Sequence, residues 1–247
     1  MRRADTVYGV HAVRVMLERH PARVRTVLLA ERRENTRVRA IVELAQRHRV
    51  AVERVAMAAL RQLLGDVAHQ GVAAAIDPLP PWSEDELLSA LSDKPAPLLL
   101  ALDGVQDPHN LGACLRTADA CGVLAVIVPR DRAAQLTPTA RKVAVGAAET
   151  TPLAVVTNLA RTLKLLKDAG LWVVGADAAG EKPAHAVDLT GPVVLVLGAE
   201  GAGLRHLTQQ HCDYLVRLPQ LGAVESLNVS VAAGMLLYET IRQRGRA

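Results

Sequence analysis

Between Leu98 and Ile241 the chain repeats one pattern: a short, nearly unbroken apolar run, a turn, then a stretch with helical spacing. The runs are Leu98–Leu102, Leu124–Val128, Leu153–Val156, Leu171–Ala176, Val193–Leu197 and Tyr214–Leu218. The helices read as Leu111–Ala120, Pro138–Val145, Leu159–Ala169, Leu204–Gln210 and Val229–Ile241. Strands apolar on both faces belong to a parallel sheet with helices on either side. The pattern therefore predicts an α/β domain over 98–247, with ligands bound beyond the carboxyl ends of its strands. Three segments share one build, an apolar strand running into a turn bearing Gly, Asn or Glu and then a helix: Leu98–Gly122, Val193–Leu207 and Val216–Glu239. One site can gather all three.

Residues 1–76 read as a second, smaller α/β unit. Helices are expected over Tyr8–Arg19, Asn35–Arg49 and Ala58–Leu64, and strands over Arg25–Ala30, Val50–Val55 and Val72–Ile76. Charge separates the two parts. Residues 1–76 hold 14 Arg, no Lys and 7 acids, a net +7, whereas the remainder has 15 basic and 18 acidic residues, a net −3. A basic third on a near-neutral body suits a polyanion-binding module, although solvated helix faces setting these arginines beside Glu18, Glu34, Glu43 and Glu53 give the same count. Aromatic residues make up 2% of the chain and Phe is absent. Base-stacking platforms are thereby disfavoured, so any RNA recognition should run through phosphate, ribose and shape. Between the parts, residues 77–97 hold prolines 78, 80, 81, 95 and 97 and read as a linker. Within it, Ser83 and Glu86 have capping-box spacing for one short helix.

No apolar run reaches the roughly 20 residues of a membrane span, and the first residues lack a signal-peptide apolar segment. Cys114, Cys121 and Cys212 are odd in number and form no C-x-x-C. Reduced thiols in a cytoplasm are expected, with no disulfide framework, metal site or membrane association.

The glycine run Gly198-Ala199-Glu200-Gly201-Ala202-Gly203 is GxxGxG. It fits neither the dinucleotide fingerprint nor a P-loop, and it follows a late strand, unlike the glycine loop of a Rossmann methyltransferase. The three segments together, LDGVQDPHNLGACLRTADACGV, VLVLGAEGAGLRHL and LPQLGAVESLNVSVAAGMLLYE, resemble motifs one, two and three of the SpoU branch of the SPOUT RNA methyltransferases, in order and spacing. The likeness spans Pro97 to the C-terminus. YGVHAV (Tyr8–Val13) and HQGVAA (His69–Ala74) narrow it to the bacterial enzymes that methylate a guanosine ribose of 23S rRNA.

That resemblance implies a SPOUT parallel-sheet domain with a deep trefoil knot, a ribosomal-protein-like RNA-binding domain before it, and a homodimer with the site completed across the interface. It implies S-adenosylmethionine as cofactor, held at Gly198, Leu218 and Leu227 with Gly222 beside them, and 23S rRNA as partner, modified in the peptidyl-transferase region. It assigns the chemistry to Asn110, Arg116, Glu200, Ser226 and Asn228. Each has a plainer reading. Asn110, Ser226 and Asn228 can cap helices, Arg116 can pair with Asp119 or Glu200, and the apolar positions can be packing. Family usage makes Arg116 the base on the 2′-hydroxyl, yet a guanidinium holds its proton in proteins. Phosphate binding and stabilisation of alkoxide charge are the alternative, with Glu200 orienting the arginine. Gln220 and Glu225 depart from the family's usual methionine and small residue. A tRNA ribose methyltransferase and a non-catalytic RNA-binding protein are the competing functions.

Overall fold

The computed structural model describes residues 6–31, 35–77, 79–223 and 226–245. They fall into two compact units, Met1–Pro80 and Pro81–Ala247.

In the first unit, strands β1 (Thr6–Tyr8), β2 (Val24–Ala30), β3 (Ala51–Val55) and β4 (Val72–Ile76) form a sheet in the order β1-β4-β2-β3. β4 pairs antiparallel with β1 and β2, while β2 and β3 are parallel. Helices α1 (Val10–Arg19) and α2 (Thr36–Arg47) bury Met16, Leu17 and Ile41 on one face, and α3 (Met57–Leu64) buries Leu60 and Leu64 on the other. Central β4 is accordingly buried at every position. Tyr8 ends a strand rather than opening a helix, because Gly9 turns the chain at φ +92°. His69 and Gln70 serve structure. His69 Nδ1 accepts from Gly71 N at 3.1 Å, and Gln70 Oε1 accepts from Val10 N at 3.2 Å, at the start of α1. Glu34, one of the acids expected beside the arginines of this unit, lies outside the described residues.

The second unit begins with α4 (Glu84–Ser89), which carries the expected capping box between Ser83 and Glu86. Trp82 bridges to Ala154, and Glu84 bonds Arg161 and Thr162, so the stretch from Pro81 packs into this unit. Then follow β5 (Leu98–Asp103), α5 (Pro108–Ala120), β6 (Ala125–Pro129), α6 (Pro138–Ala144), β7 (Leu153–Val156), α7 (Leu159–Asp168), β8 (Trp172–Ala176), β9 (Lys182–Pro183), β10 (Val193–Gly198), α8 (His206–His211), β11 (Tyr214–Arg217) and α9 (Val229–Arg244). The sheet order is β7-β6-β5-β10-β8-β11-β9, parallel throughout. The late strands are thus laid between earlier ones: β10 between β5 and β8, β11 between β8 and β9. One face buries Leu100, Leu102 and Leu195 with Leu111 and Leu115 of α5 and Leu236 and Leu237 of α9. The other buries Leu99, Val194 and Val196 with Leu163 and Leu166 of α7. Each such side chain contributes about 1.5–3 kcal/mol on burial. Gly112 lets α5 and α6 touch, since a Cβ there would lie 2.5 Å from the Ala140 carbonyl oxygen.

Candidate functional site

The carboxyl ends of β10, β8 and β11 border a cavity of about 320 Å³. Gly198 ends β10 directly beside Asp103, the last residue of β5. From there residues 199–203 form a tight hairpin, with Ala199 N donating to Gly203 O at 3.1 Å and Gly203 N to Ala199 O at 2.8 Å. Only glycine fits position 198, because a Cβ would lie 2.0 Å from the Gly203 carbonyl carbon. The hairpin lines one side of the cavity with backbone groups; Leu218, Leu227, Val229 and Ala232 line another, with Gln220 and Ser226 between them. Carboxylates come from Asp177 and Glu200. An apolar wall, exposed backbone donors and acceptors, and two anionic side chains fit a flat heteroaromatic ring joined to a cationic tail, as in S-adenosylmethionine. Gly222 is exposed and outside the cavity wall. Glu225 lies outside the described residues.

Asn228 opens α9 as its N-cap, its Oδ1 accepting from Ser230 N at 2.9 Å and Ser230 Oγ at 2.6 Å. The other end of the same amide donates from Nδ2 to Asn110 Oδ1 at 2.9 Å. Segments 118 residues apart therefore meet at the edge of the cavity. Asn110 does not cap α5. Pro108 sets the first helical position and Asp107 accepts from His109 N, so Asn110 lies inside the helix, buried, with its side chain released for Asn228. Ser226 lines the cavity and is exposed, with no capping bond of its own.

Arg116 and Glu200 are both exposed, and neither has a hydrogen bond or ion pair among the described residues. Asp119, a candidate partner for Arg116, instead accepts from Thr150 Oγ1 at 2.6 Å and Thr151 Oγ1 at 3.3 Å. The cavity wall contains Glu200 but not Arg116. Thus Ser226 and Glu200 line one cavity, Asn228 joins Asn110 between the lining residues Leu227 and Val229, and Arg116 is not part of the cavity wall.

Two carboxylates escaped the sequence reading. Asp103 is buried, and its Oδ2 accepts from Arg205 N at 2.9 Å, taking the place of a side-chain cap where the glycine loop enters α8. Its Oδ1 has no hydrogen bond but faces Arg205 Nε at 3.5 Å. The signal was present: LLLALD ends an otherwise apolar buried strand on a charge. Asp177, just past β8, holds Gln209 Nε2 at 2.9 Å and Ala179 N at 2.8 Å. Among the described residues no group of three or more His, Cys, Asp or Glu could hold a metal ion, and no helix is long and apolar enough to cross a membrane.

The SpoU rRNA methylase family pattern matches residues 97–238, covering β5 through most of α9. The chain belongs to that family. A second pattern, RNA 2′-O ribose methyltransferase substrate binding, matches residues 6–82 ahead of the SpoU region. Among SpoU relatives, the 23S rRNA (guanosine-2′-O-)-methyltransferase RlmB of Pseudomonas syringae pv. tomato is 55% identical over 247 residues, 99% of this chain and 98% of that protein. Among solved structures, the SpoU methyltransferase AviRb of Streptomyces viridochromogenes, in complex with AdoMet, superposes with TM-score 0.77 at 28% identity, covering 98% of this chain and 91% of that one. The TrmH/SpoU tRNA modifying enzyme of A. aeolicus gives TM-score 0.57 at 31% identity, covering 66% of this chain and 83% of that one.

Proposed function

We propose that this chain transfers a methyl group from S-adenosylmethionine to the ribose 2′-hydroxyl of a guanosine in 23S rRNA, in the peptidyl-transferase region. The observation that carries this reading is the full-length likeness to RlmB, through both units and at 55% identity. The likeness to the A. aeolicus tRNA enzyme covers 66% of this chain, which favours the ribosomal substrate over the tRNA one.

The cofactor supplies a methyl on a sulfonium, which departs as a neutral thioether. The protein's task is to hold the hydroxyl in line and to accommodate its charge as the proton leaves. Gly198 and the hairpin after it shape the cofactor seat, with Leu218 and Leu227 as its apolar wall. The Asn228–Asn110 bond fixes the start of α9 against α5, so that Ser226 and Asn228 present a fixed edge to the ribose. Arg116 binds the target phosphate and stabilises the developing alkoxide, while Glu200 orients it.

In one copy Arg116 and Glu200 have no partner among the described residues, and α9 exposes Val231, Met235 and Tyr238 at helical spacing. Both observations support a homodimer in which Arg116 of one copy serves the cavity of the other. The insertion of β10 and β11 between earlier strands supports a trefoil-knotted catalytic domain. The basic unit before it binds RNA, and an rRNA substrate with reduced thiols supports a cytoplasmic location.

The test is methyl transfer from labelled S-adenosylmethionine to protein-free 23S rRNA, with tRNA in parallel and ribose-methyl mapping. One 2′-O-methylguanosine in 23S rRNA is expected. Label in tRNA alone overturns the substrate, and absence of cofactor binding overturns the reaction. Mixing R116A with G198V homodimers should restore activity if the site is shared between copies. R116K at near-full rate would exclude a bidentate role.

A further inference from the structure

The arginines of the second unit divide sharply. Arg141, Arg161, Arg205 and Arg242 pair with carboxylates, and Arg217 and Arg244 donate to backbone carbonyls. Among the described arginines of this unit, only Arg116, Arg130 and Arg132 have no side-chain partner. Arg116 already has a role. The other two stand together on the loop that leaves β6, outside all three motif segments.

That loop is braced rather than slack. Ala133, Ala134 and Leu136 turn into the core against the α5 face of the sheet. Gln135 Nε2 donates to the carbonyls of Arg130 at 3.2 Å and Ala133 at 3.4 Å. Ala134 N donates to Val105 O at 2.7 Å, tying the loop to the motif-one turn after β5. Since β5 and β6 are parallel neighbours, both loops lie at the same edge of the sheet. Arg132 is held at φ +56°, a left-handed conformation that costs a residue with a side chain. A glycine would relieve it. An arginine kept there, exposed and without a counter-ion, places a cation where packing does not require one. Asp131 lies between the two arginines, leaving the loop a net charge of +1.

We infer that Arg130 and Arg132 form a second RNA-phosphate contact on the catalytic unit, gripping backbone that flanks the target nucleotide as it approaches the motif-one turn. This rests on the chain being an RNA methyltransferase and adds to it a binding surface outside the basic first unit. Two free guanidinium groups on a braced loop hold RNA through charge, without reading sequence.

The test is binding of the full-length protein to protein-free 23S rRNA transcript across a KCl series, with methyl transfer measured alongside. R130A/R132A should flatten the plot of log Kd against log salt by between about one and two units. It should raise KM for RNA by about ten-fold while S-adenosylmethionine affinity and kcat at saturating RNA stay unchanged. R130K should keep the wild-type slope, and D131N should tighten binding. R132G should raise the thermal midpoint yet weaken RNA binding, a combination that a purely structural role for Arg132 cannot produce. An unchanged salt slope and KM in R130A/R132A would overturn the inference while leaving the proposed reaction intact. Conversely, no transfer by the wild type overturns the reaction, and the salt slope still decides the phosphate contact.

Discussion

Asn228 Nδ2 donates to Asn110 Oδ1 at 2.9 Å, and through that bond the first and last motif segments hold each other in place. N110A removes the acceptor beneath α9 and should cost roughly 1–3 kcal/mol in urea unfolding, the penalty for leaving a shielded donor unpaired. N228A also loses the helix cap, so it should cost more. A double-mutant cycle should return a coupling of about 0.5–1.5 kcal/mol. In activity, kcat should fall further than KM for the cofactor rises if, as proposed, the pair presents its edge to the ribose. Additive effects would show that the bond couples nothing.

Gly198 and Gly201 should respond oppositely to the same change. At position 198 a Cβ meets backbone at 2.0 Å, so G198A must open the hairpin and should abolish S-adenosylmethionine binding by calorimetry. At position 201 a Cβ meets nothing within 4 Å, and only the φ of +77° is unfavourable. G201A should therefore cost about 1 kcal/mol of stability and leave binding measurable.

Glu239 accepts from Arg242 at 2.6 and 2.7 Å and from Gln243 at 2.9 Å on α9. The Arg242 bonds hold its carboxyl at about 2, against an ordinary value of 4.5. A depressed carboxyl stabilises the fold while ionised, so the benefit is complete above pH 4.5 and disappears as pH falls through about 2. E239Q should be less stable than wild type at neutral pH, and the difference should shrink through that acid window. A gap that stays constant between pH 6 and pH 2 would contradict the assignment.

Burial pushes the Cys114 thiol up to about 12, and burial with the nearby Asp213 charge does the same for Cys212. Cys121 is raised by burial too but is half-buried. Iodoacetamide at pH 8 should label Cys121 first in the folded protein and all three in urea, as read by mass spectrometry.

The sheet was legible because its strands are apolar on both faces, and every expected run in the second unit became a strand within a residue or so at each end. Strand order was not, since it depends on pairings far apart in sequence. β9 gave no signal either. It is the two residues Lys182–Pro183 at the sheet edge, where a proline removes a donor without cost. In the site, side-chain type carried the reading for Asn228, whose cap is local. It failed for Asn110, where Asp107-Pro108 sets the helix start and leaves the amide for a distant partner. Arg116 and Glu200 could be named from motif likeness, but their lack of partners within one copy needed the coordinates. Asp103 was visible as a charge closing an apolar strand, and only the fold shows that it caps the segment 102 residues later.

The order in which the sheet is filled sets a timetable. β10 and β11 enter gaps between strands made earlier, and the cavity wall is finished only by residues 226–232. A growing chain has therefore emitted nearly all of its length before it owns a cofactor seat. Unlike a domain whose glycine loop follows its first strand, this one cannot become competent piecemeal. Truncations of even the last helix should leave a stable first unit joined to a body that never loads its methyl donor.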